Sequence, residues 1–278
     1  MIKSVLLAVD GSAYTESVLR HGVDFGRSFG ALLRVLSVVD VRIFEWVATF
    51  GVDGFVPVMP SPLYREETEK VLQEKAEKTL ESAAALLEKE GVRFTTEKLA
   101  DSPVDAILER QKVADLVIMG QRGEYAKWES RLLGATVEAV SRQIEKPLMV
   151  VHQSYRPVRK ILLSYDGSRP ASRAMQFAGV MAEGMKAVIE VLTVHRDEDW
   201  AKRTLTEAED YLKAFQCEVS TRWISGDPDE VIPTRAADGG FDLVVIGGYG
   251  HSRLREAILG STTVHVMRNS PVPVCLVK

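Results

Sequence analysis

Cysteine is scarce in this 278-residue chain: Cys217 and Cys275 are the only two, and they are far apart. That argues against a disulfide framework and a zinc site, and it favours a reducing compartment. An excess of one charge is missing too. The formal net charge is −4, so nothing global draws the chain to nucleic acid or to an anionic membrane. No apolar run reaches the roughly 18 residues of a membrane span. The opening run, Val5 to Val9, stops at Asp10 without a small-residue cleavage site. No secretory signal is read there, and a cytoplasmic location is expected. His21, His152, His195 and His265 show no metal-ligand spacing. There is no G-x-x-x-x-G-K-[ST] loop and no G-x-S-x-G elbow, so a P-loop NTPase and an α/β-hydrolase are set aside. What remains is 46% hydrophobic and 27% charged, the make-up of a globular chain long enough for two ordinary domains.

The chain repeats itself. Val5-Leu6-Leu7-Ala8-Val9-Asp10-Gly11-Ser12 returns as Ile161-Leu162-Leu163-Ser164-Tyr165-Asp166-Gly167-Ser168, at an offset of 156. Asp115-Leu116-Val117-Ile118-Met119-Gly120 returns as Asp242-Leu243-Val244-Val245-Ile246-Gly247, at an offset of 127. Gly134-Ala135-Thr136 matches Gly260-Ser261-Thr262, and Pro147 to Val151 matches Pro273 to Val277, both at 126. The first half therefore carries about 30 extra residues, between Val38 and Pro103. The halves read as domains 1–152 and 158–278, with an insertion near 41–63.

Each half alternates strand and helix. Expected strands lie near 3–9, 31–39, 92–99, 115–119 and 147–151, then near 159–165, 187–194, 217–224, 242–246 and 273–277. Expected helices lie near 13–28, 64–90, 103–113 and 135–144, then near 170–184, 198–214, 228–238 and 261–269. Leu72, Ala76, Leu80, Ala84 and Leu87 mark one face of the second helix, and Gly91 stops it. Such alternation implies a parallel sheet with helices on both faces. The insertion holds Phe44, Trp46, Phe50, Phe55 and Met59. It reads either as a flap packed on its own domain or as a lid or interface.

Asp242 to Ile246 reads as a buried parallel strand running into Gly247-Gly248-Tyr249-Gly250, followed by nine residues and Gly260-Ser261-Thr262-Thr263. Gly247 and Gly250 let backbone approach a ligand closely. Ser261 or Thr262 is expected to N-cap the helix running to Asn269, whose free N–H groups suit phosphate. An ordinary strand-to-helix turn is the other reading. In a doubly wound sheet, ligands sit outside the carboxyl ends of strands where the order reverses. If the first and fourth strands are neighbours, Asp10 and Asp166 face the same crevice as the glycines. Asp-Gly-Ser is also ordinary turn chemistry. The glycine loop follows the fourth strand and not the first, which argues against the dinucleotide fingerprint. Arg253 and Arg255 in the second glycine loop, and Arg122, Lys127 and Arg131 by the first, either neutralise phosphate or are simply solvated. His251, directly after Gly250, reads either as an acid or base acting on a phosphate or, as is commoner, as a loop-surface histidine.

Gly247-x2-Gly250-x9-Gly260-Ser261, the Asp after each first strand and Gly226-Asp227-Pro228 before the third helix together resemble the ATP-binding universal stress proteins. The resemblance covers nearly the whole chain, once per half. It implies an α/β fold: two tandem doubly wound parallel five-stranded sheets of order 3-2-1-4-5, pairing through their fifth strands. It implies an adenine nucleotide as ligand, ATP with or without Mg²⁺. In the second half, Ser164, Tyr165 and Asp166 would meet adenine and ribose, and Val194 would pack on the base. Ile246, Gly247, Gly250, Gly260, Ser261, Thr262 and Thr263 would surround ribose and phosphates. In the first half Asp10, Val38, Gly120, Gly123, Gly134 and Thr136 correspond. That half departs from the pattern: ten residues separate Gly123 from Gly134, and Ala135 stands in the hydroxyl position.

The expected function is nucleotide-dependent conformation or partner binding in stress response or signalling. Slow ATP hydrolysis or phosphoryl transfer is the enzymatic alternative, and no positioned base is evident for it. A ligand-free interaction module is the third. Nucleic acid and membrane are not expected partners; homodimerisation stays open.

Overall fold

The computed structural model describes residues 1–40, 62–123, 133–248 and 259–278. Most of the insertion, 41–61, lies outside them, as do Lys127, Arg131, Gly250, His251, Arg253 and Arg255.

The first half runs β1 (Ser4–Val9), α1 (Thr15–Phe29), β2 (Leu32–Asp40), α2 (Pro62–Lys89), β3 (Phe94–Asp101), α3 (Pro103–Arg110), β4 (Leu116–Gly120), α4 (Ala135–Gln143) and β5 (Leu148–Val151). The second runs β6 (Lys160–Ser164), α5 (Arg169–Met185), β7 (Val188–Val194), α6 (Glu198–Leu212), β8 (Val219–Ile224), α7 (Pro228–Asp238), β9 (Leu243–Gly247), α8 (Ser261–Asn269) and β10 (Val274–Val277). The third helix is shorter than its periodicity suggests: a 3-10 turn, Gln111–Val113, takes over after Arg110.

All ten strands form one sheet in the order β3-β2-β1-β4-β5-β10-β9-β6-β7-β8. Each half is thus parallel with order 3-2-1-4-5. The fifth strands meet antiparallel, with Met149 opposite Cys275. Sequence explains the ranking from centre to edge. β4, β5, β9 and β10 are unbroken apolar runs buried on both faces. The outermost strands, β3 and β8, carry polar residues at exposed positions, and charges such as Glu97, Lys98 and Arg222 keep these edges wet.

Strand alternation divides the interior into two cores. Val5, Leu7 and Val9 face one with α1 and α2, joined by Ile161, Leu163 and Tyr165 with α5 and α6. Leu6, Leu36 and Val117 face the other with α3 and α4, joined by Leu162, Leu192 and Val244 with α7 and α8. Burying each large aliphatic side chain contributes about 1.5–3 kcal/mol.

The buried stripe of α2 is rotated from the expected one. Ala76, Thr79, Ala83 and Leu87 are buried, while Leu72, Leu80 and Ala84 are only half-buried. A row of i+4 steps drifts around a helix of 3.6 residues per turn, so the contact line alternates steps of three and four. Gly91, at φ 67°, ends the chain's helical course.

Asp115 and Asp242, which lead the fourth strands, perform one repeated task. Asp115 Oδ2 accepts the N–H groups of Lys3 and Ser4 at 2.7 and 3.0 Å. Asp242 Oδ2 accepts those of Arg159 and Lys160, both at 3.0 Å. Each aspartate fastens the start of its strand to the start of the first strand. Among the described residues no helix is long and apolar enough to cross a membrane.

Candidate functional site

The first and fourth strands are neighbours in both halves. Ala8 lies opposite Met119 and Ser164 opposite Ile246. Asp10 and Gly120 therefore leave the sheet side by side at its C-terminal edge, and so do Asp166 and Gly247.

The Asp-Gly-Ser turns are built alike. Asp10 Oδ1 accepts the Ser12 N–H at 3.0 Å, and Asp166 Oδ1 accepts the Ser168 N–H at 3.0 Å. The ordinary turn reading is thus correct for one carboxylate oxygen of each. Gly11 (φ 76°) and Gly167 (φ 69°) hold the left-handed backbone that makes the turn. Ser168 Oγ then accepts the Ala171 N–H at 3.3 Å and caps α5.

The glycines ending the fourth strands are required by packing. A β-carbon on Gly247 would stand 2.6 Å from Ala171 N and 2.7 Å from the Pro170 carbonyl carbon. One on Gly120 would stand 2.5 Å from Tyr14 Cβ. The tip of β9 thus meets the backbone at the start of α5, and the tip of β4 meets the Tyr14 side chain just before α1.

The last helix of each half begins one residue earlier than a hydroxyl cap would place it. Gly260 is the N-cap residue of α8 (φ −58°, ψ 145°), and Ser261, Thr262 and Thr263 are its first three helical residues. Gly134 does the same for α4 (φ −62°, ψ 144°). Among the described residues no side chain caps either helix. The expectation that Ser261 or Thr262 is the cap is therefore corrected: the glycine continues the extended chain, and the hydroxyls follow it into the first turn. The N–H groups of that turn have no acceptor within their helix, and their dipole favours an anion. Thr263 turns inward, donating from Oγ1 to the Gly247 carbonyl at 3.4 Å. Its repeat partner is Val137, which lies in the core.

In the first half these parts enclose a cavity of about 470 Å³. Asp10, Val38, Gly120, Gly123, Gly134 and Thr136, all expected from the sequence, line it together. The sequence reading missed Met119, Pro103 and Ile107 on the same wall. Met119 was within reach, because its repeat partner is Ile246. Lys75 and Leu72 of α2 also line the cavity, and nothing in their local sequence signals that. Arg122 stands on the lining beside Gly123.

In the second half, Val194 is half-buried at the end of β7 and Ile246 is buried at the end of β9, on one face of the sheet. Ser164 is half-buried and Asp166 exposed. Ser261 is exposed, and Thr262 and Gly260 are half-buried. Tyr165 is placed differently from the expectation that groups it with Ser164 and Asp166. It is 5% exposed and its ring lies in the core under α5 and α6, on the opposite face from Val194 and Ile246. Its backbone is engaged within the sheet: its N–H donates to the Leu192 carbonyl at 2.9 Å and its carbonyl accepts from Thr193 Oγ1 at 2.8 Å. The physical reason is the two-residue side-chain period, which sends neighbours along a strand to opposite faces.

The sequence profile of the universal stress protein family matches residues 1–152 and again 157–278. The universal stress protein Slr1230 of Synechocystis sp. is 28% identical over 284 residues, covering 98% of this chain and 99% of its own length. A universal stress protein of Mycolicibacterium smegmatis is 24% identical, covering 99% and 96%. The crystal structure of a universal stress protein from Archaeoglobus fulgidus shares the fold with a TM-score of 0.76 at 26% identity, covering 99% of this chain and 96% of that one. The chain belongs to the universal stress protein family and carries the family's domain twice.

Proposed function

We propose that this chain binds an adenine nucleotide, ATP foremost, and acts in stress response or signalling through the conformation or partner binding that the nucleotide favours. One observation carries the reading. The Asp10 turn, the Gly120 strand tip and the N-terminus of α4 border one cavity of about 470 Å³, a size suited to a small-molecule ligand. Val38, Ile107 and Met119 offer an apolar wall to a purine, and the first-turn N–H groups of α4 offer donors to phosphate. Each such charge-assisted bond is worth roughly 1.5–3 kcal/mol. The second half repeats the arrangement with Asp166, Gly247, Gly260 and Thr262, and is read as the second site.

The two domains, 1–152 and 158–278, would respond together because β5 and β10 are hydrogen-bonded across the seam. A nucleotide that fits one arrangement better stabilises that arrangement by its binding free energy. A cytoplasmic role suits such a ligand. Slow ATP hydrolysis or phosphoryl transfer is the enzymatic alternative. A Mg²⁺ accompanying the nucleotide would be held chiefly by its phosphates and by water.

Isothermal titration of the full chain with ATP is the test, with thermal denaturation beside it. Saturable heat and a raised melting temperature are expected. The absence of both heat and stabilisation would refute the proposal. Mass spectrometry of co-purifying small molecules identifies the nucleotide.

A further inference from the structure

A second cavity, of about 460 Å³, lies where the two halves meet. β5 ends beside the start of β10, and the segment that joins the halves leaves the sheet there. His152, Gln153, Ser154 and Arg156 of that segment line the cavity, together with Gln121 and Arg122 just past β4. Pro271, Val272 and Pro273, ahead of β10, line it from the second half. Because the joining segment supplies one wall, this cavity is not a repeat of the nucleotide cavity.

Tyr155 holds the segment in place. Its hydroxyl donates to the Asp24 carboxylate, at 3.0 Å from each oxygen, and its ring packs on His21 with centres 5.0 Å apart. With Tyr155 fixed on α1, its neighbours Ser154 and Arg156 are carried to the cavity. The Gln121 side chain is held as well: its amide nitrogen donates to the Met267 carbonyl of α8 at 3.1 Å.

The lining selects for charge. Arg122 and Arg156 bring two guanidinium groups, and among the described residues no aspartate or glutamate lines the cavity. The planar fork of a guanidinium matches the oxygens of a phosphate. Gln153, Ser154 and Arg156 are exposed, so the cavity is reached from solvent. Arg122 and Tyr14 line the nucleotide cavity too. A β-carbon on Gly134, the N-cap of α4, would stand 3.2 Å from Arg122 Cα. The seam cavity therefore adjoins the place where the first turn of α4 offers its N–H groups to phosphate.

We propose that the seam cavity binds phosphoryl anions, with Arg122 and Arg156 as its cations, in continuity with the phosphate end of the nucleotide cavity. The proposal rests on the nucleotide reading only for that continuity. The anion arrives either as the far end of a nucleotide's phosphate chain or as a separate inorganic ion, and both present the same oxygens to the arginines.

Two probes separate these sources: inorganic pyrophosphate and adenosine tetraphosphate. NMR of the full chain reads the His152 ring, its signal assigned with His152→Gln, and calorimetry reads affinity. Pyrophosphate is expected to shift the His152 signal without nucleotide. Adenosine tetraphosphate is expected to bind about tenfold tighter than ATP. Arg156→Ala removes an exposed side chain that lines the seam cavity alone. It should weaken pyrophosphate about tenfold, cancel the gain of the tetraphosphate, and leave ATP affinity within about twofold. Arg156→Lys, which keeps the charge without the fork, should recover part of the loss. A pyrophosphate shift alone assigns a separate ion, and a tetraphosphate gain alone assigns the phosphate chain; either supports the site. Neither effect in the wild-type chain, or effects that persist in Arg156→Ala, overturns it. Failure of ATP to bind would sink the nucleotide reading and leave pyrophosphate to judge the seam cavity.

Discussion

Asp10 Oδ2 lies 3.0 Å from the point where a β-carbon on Gly123 would stand. The acidic tip of the first strand and the glycine segment after the fourth are thus in direct apposition, although more than a hundred residues separate them. Asp10 uses Oδ1 to hold the Ser12 N–H and directs Oδ2 toward the glycine segment.

This division of labour predicts different outcomes for two substitutions. Asp10→Asn keeps an oxygen for the Ser12 N–H, so stability should change by less than about 0.5 kcal/mol. ATP affinity should fall about tenfold, the equivalent of 1.4 kcal/mol. Asp10→Ala should lose the same affinity and also about 0.5–2 kcal/mol of stability, as other lost backbone-capping side chains do. Titration calorimetry and urea denaturation measure the two quantities separately. Equal ATP affinity in all three proteins would remove Asp10 from the site.

Gly167 and Gly247 resist substitution for different reasons. At Gly167 a β-carbon has room, with Thr204 Cγ2 nearest at 3.6 Å, but the backbone is left-handed at φ 69°. Gly167→Ala should cost roughly 1–2 kcal/mol of backbone strain, and Gly167→Asn should recover part of it, because asparagine tolerates that conformation. At Gly247 the obstacle is the α5 backbone at 2.6 Å. Gly247→Ala should cost about 1–3 kcal/mol or more by overpacking, and Gly247→Asn should be worse still. Chemical denaturation of the four variants discriminates the mechanisms.

His21 should make the protein acid-labile. It is 1% exposed on the buried face of α1; Nδ1 donates to the Ser17 carbonyl at 2.8 Å, and Nε2 has no hydrogen-bond partner. The edge of the Tyr155 ring packs against it, with ring centres 5.0 Å apart. Burial pushes its pKa from 6.5 down to about 4. The folded state therefore binds a proton less readily than the unfolded state. Stability from this site is fully present above about pH 6.5 and is lost progressively as pH falls toward 4. His152, also pushed down by burial, acts in the same direction. Between pH 7 and pH 5 the loss from His21 should be about 2 kcal/mol. His21→Met should remove most of that pH dependence; an unchanged dependence in urea melts at the two pH values would exclude His21 as its source.

Cys275 reports on the seam between halves. It is fully buried on β10 opposite Met149 of β5, and burial pushes its thiol pKa up. Cys217 is half-buried. A thiol reagent at neutral pH should modify Cys217 first, and Cys275 only as fast as the structure opens. Met149→Ala should cost about 2–5 kcal/mol and speed the labelling of Cys275. Equal labelling rates for both thiols in the native chain would show that β5 and β10 part readily.

Much of this architecture was legible in the residues. The repeat of Asp-Gly-Ser and of the glycine tips, and the alternation of apolar strands with amphipathic helices, led to a parallel sheet in each half, and the strand order came from the family resemblance. Strand patterning is local and has a fixed period, so a single sequence displays it. Asp10, Gly120, Gly123 and Gly134 left marks of turn chemistry and helix starts in the sequence, and the family resemblance joined Val38 and Thr136 to them. Lys75 and Leu72 leave none, since their place over the notch depends on how α2 lies across the sheet.

By itself, then, the sequence determined a doubled α/β chain whose acidic turns and glycine tips end the first and fourth strands of each half. Only the tertiary structure decided which side chains those ends share. It set the caps at Gly134 and Gly260, because extended backbone reached the helices one residue before the hydroxyls. It sent Tyr165 into one core, away from Val194 and Ile246, because the fate of a side chain depends on which face of the strand carries it and on what packs there from a distant helix.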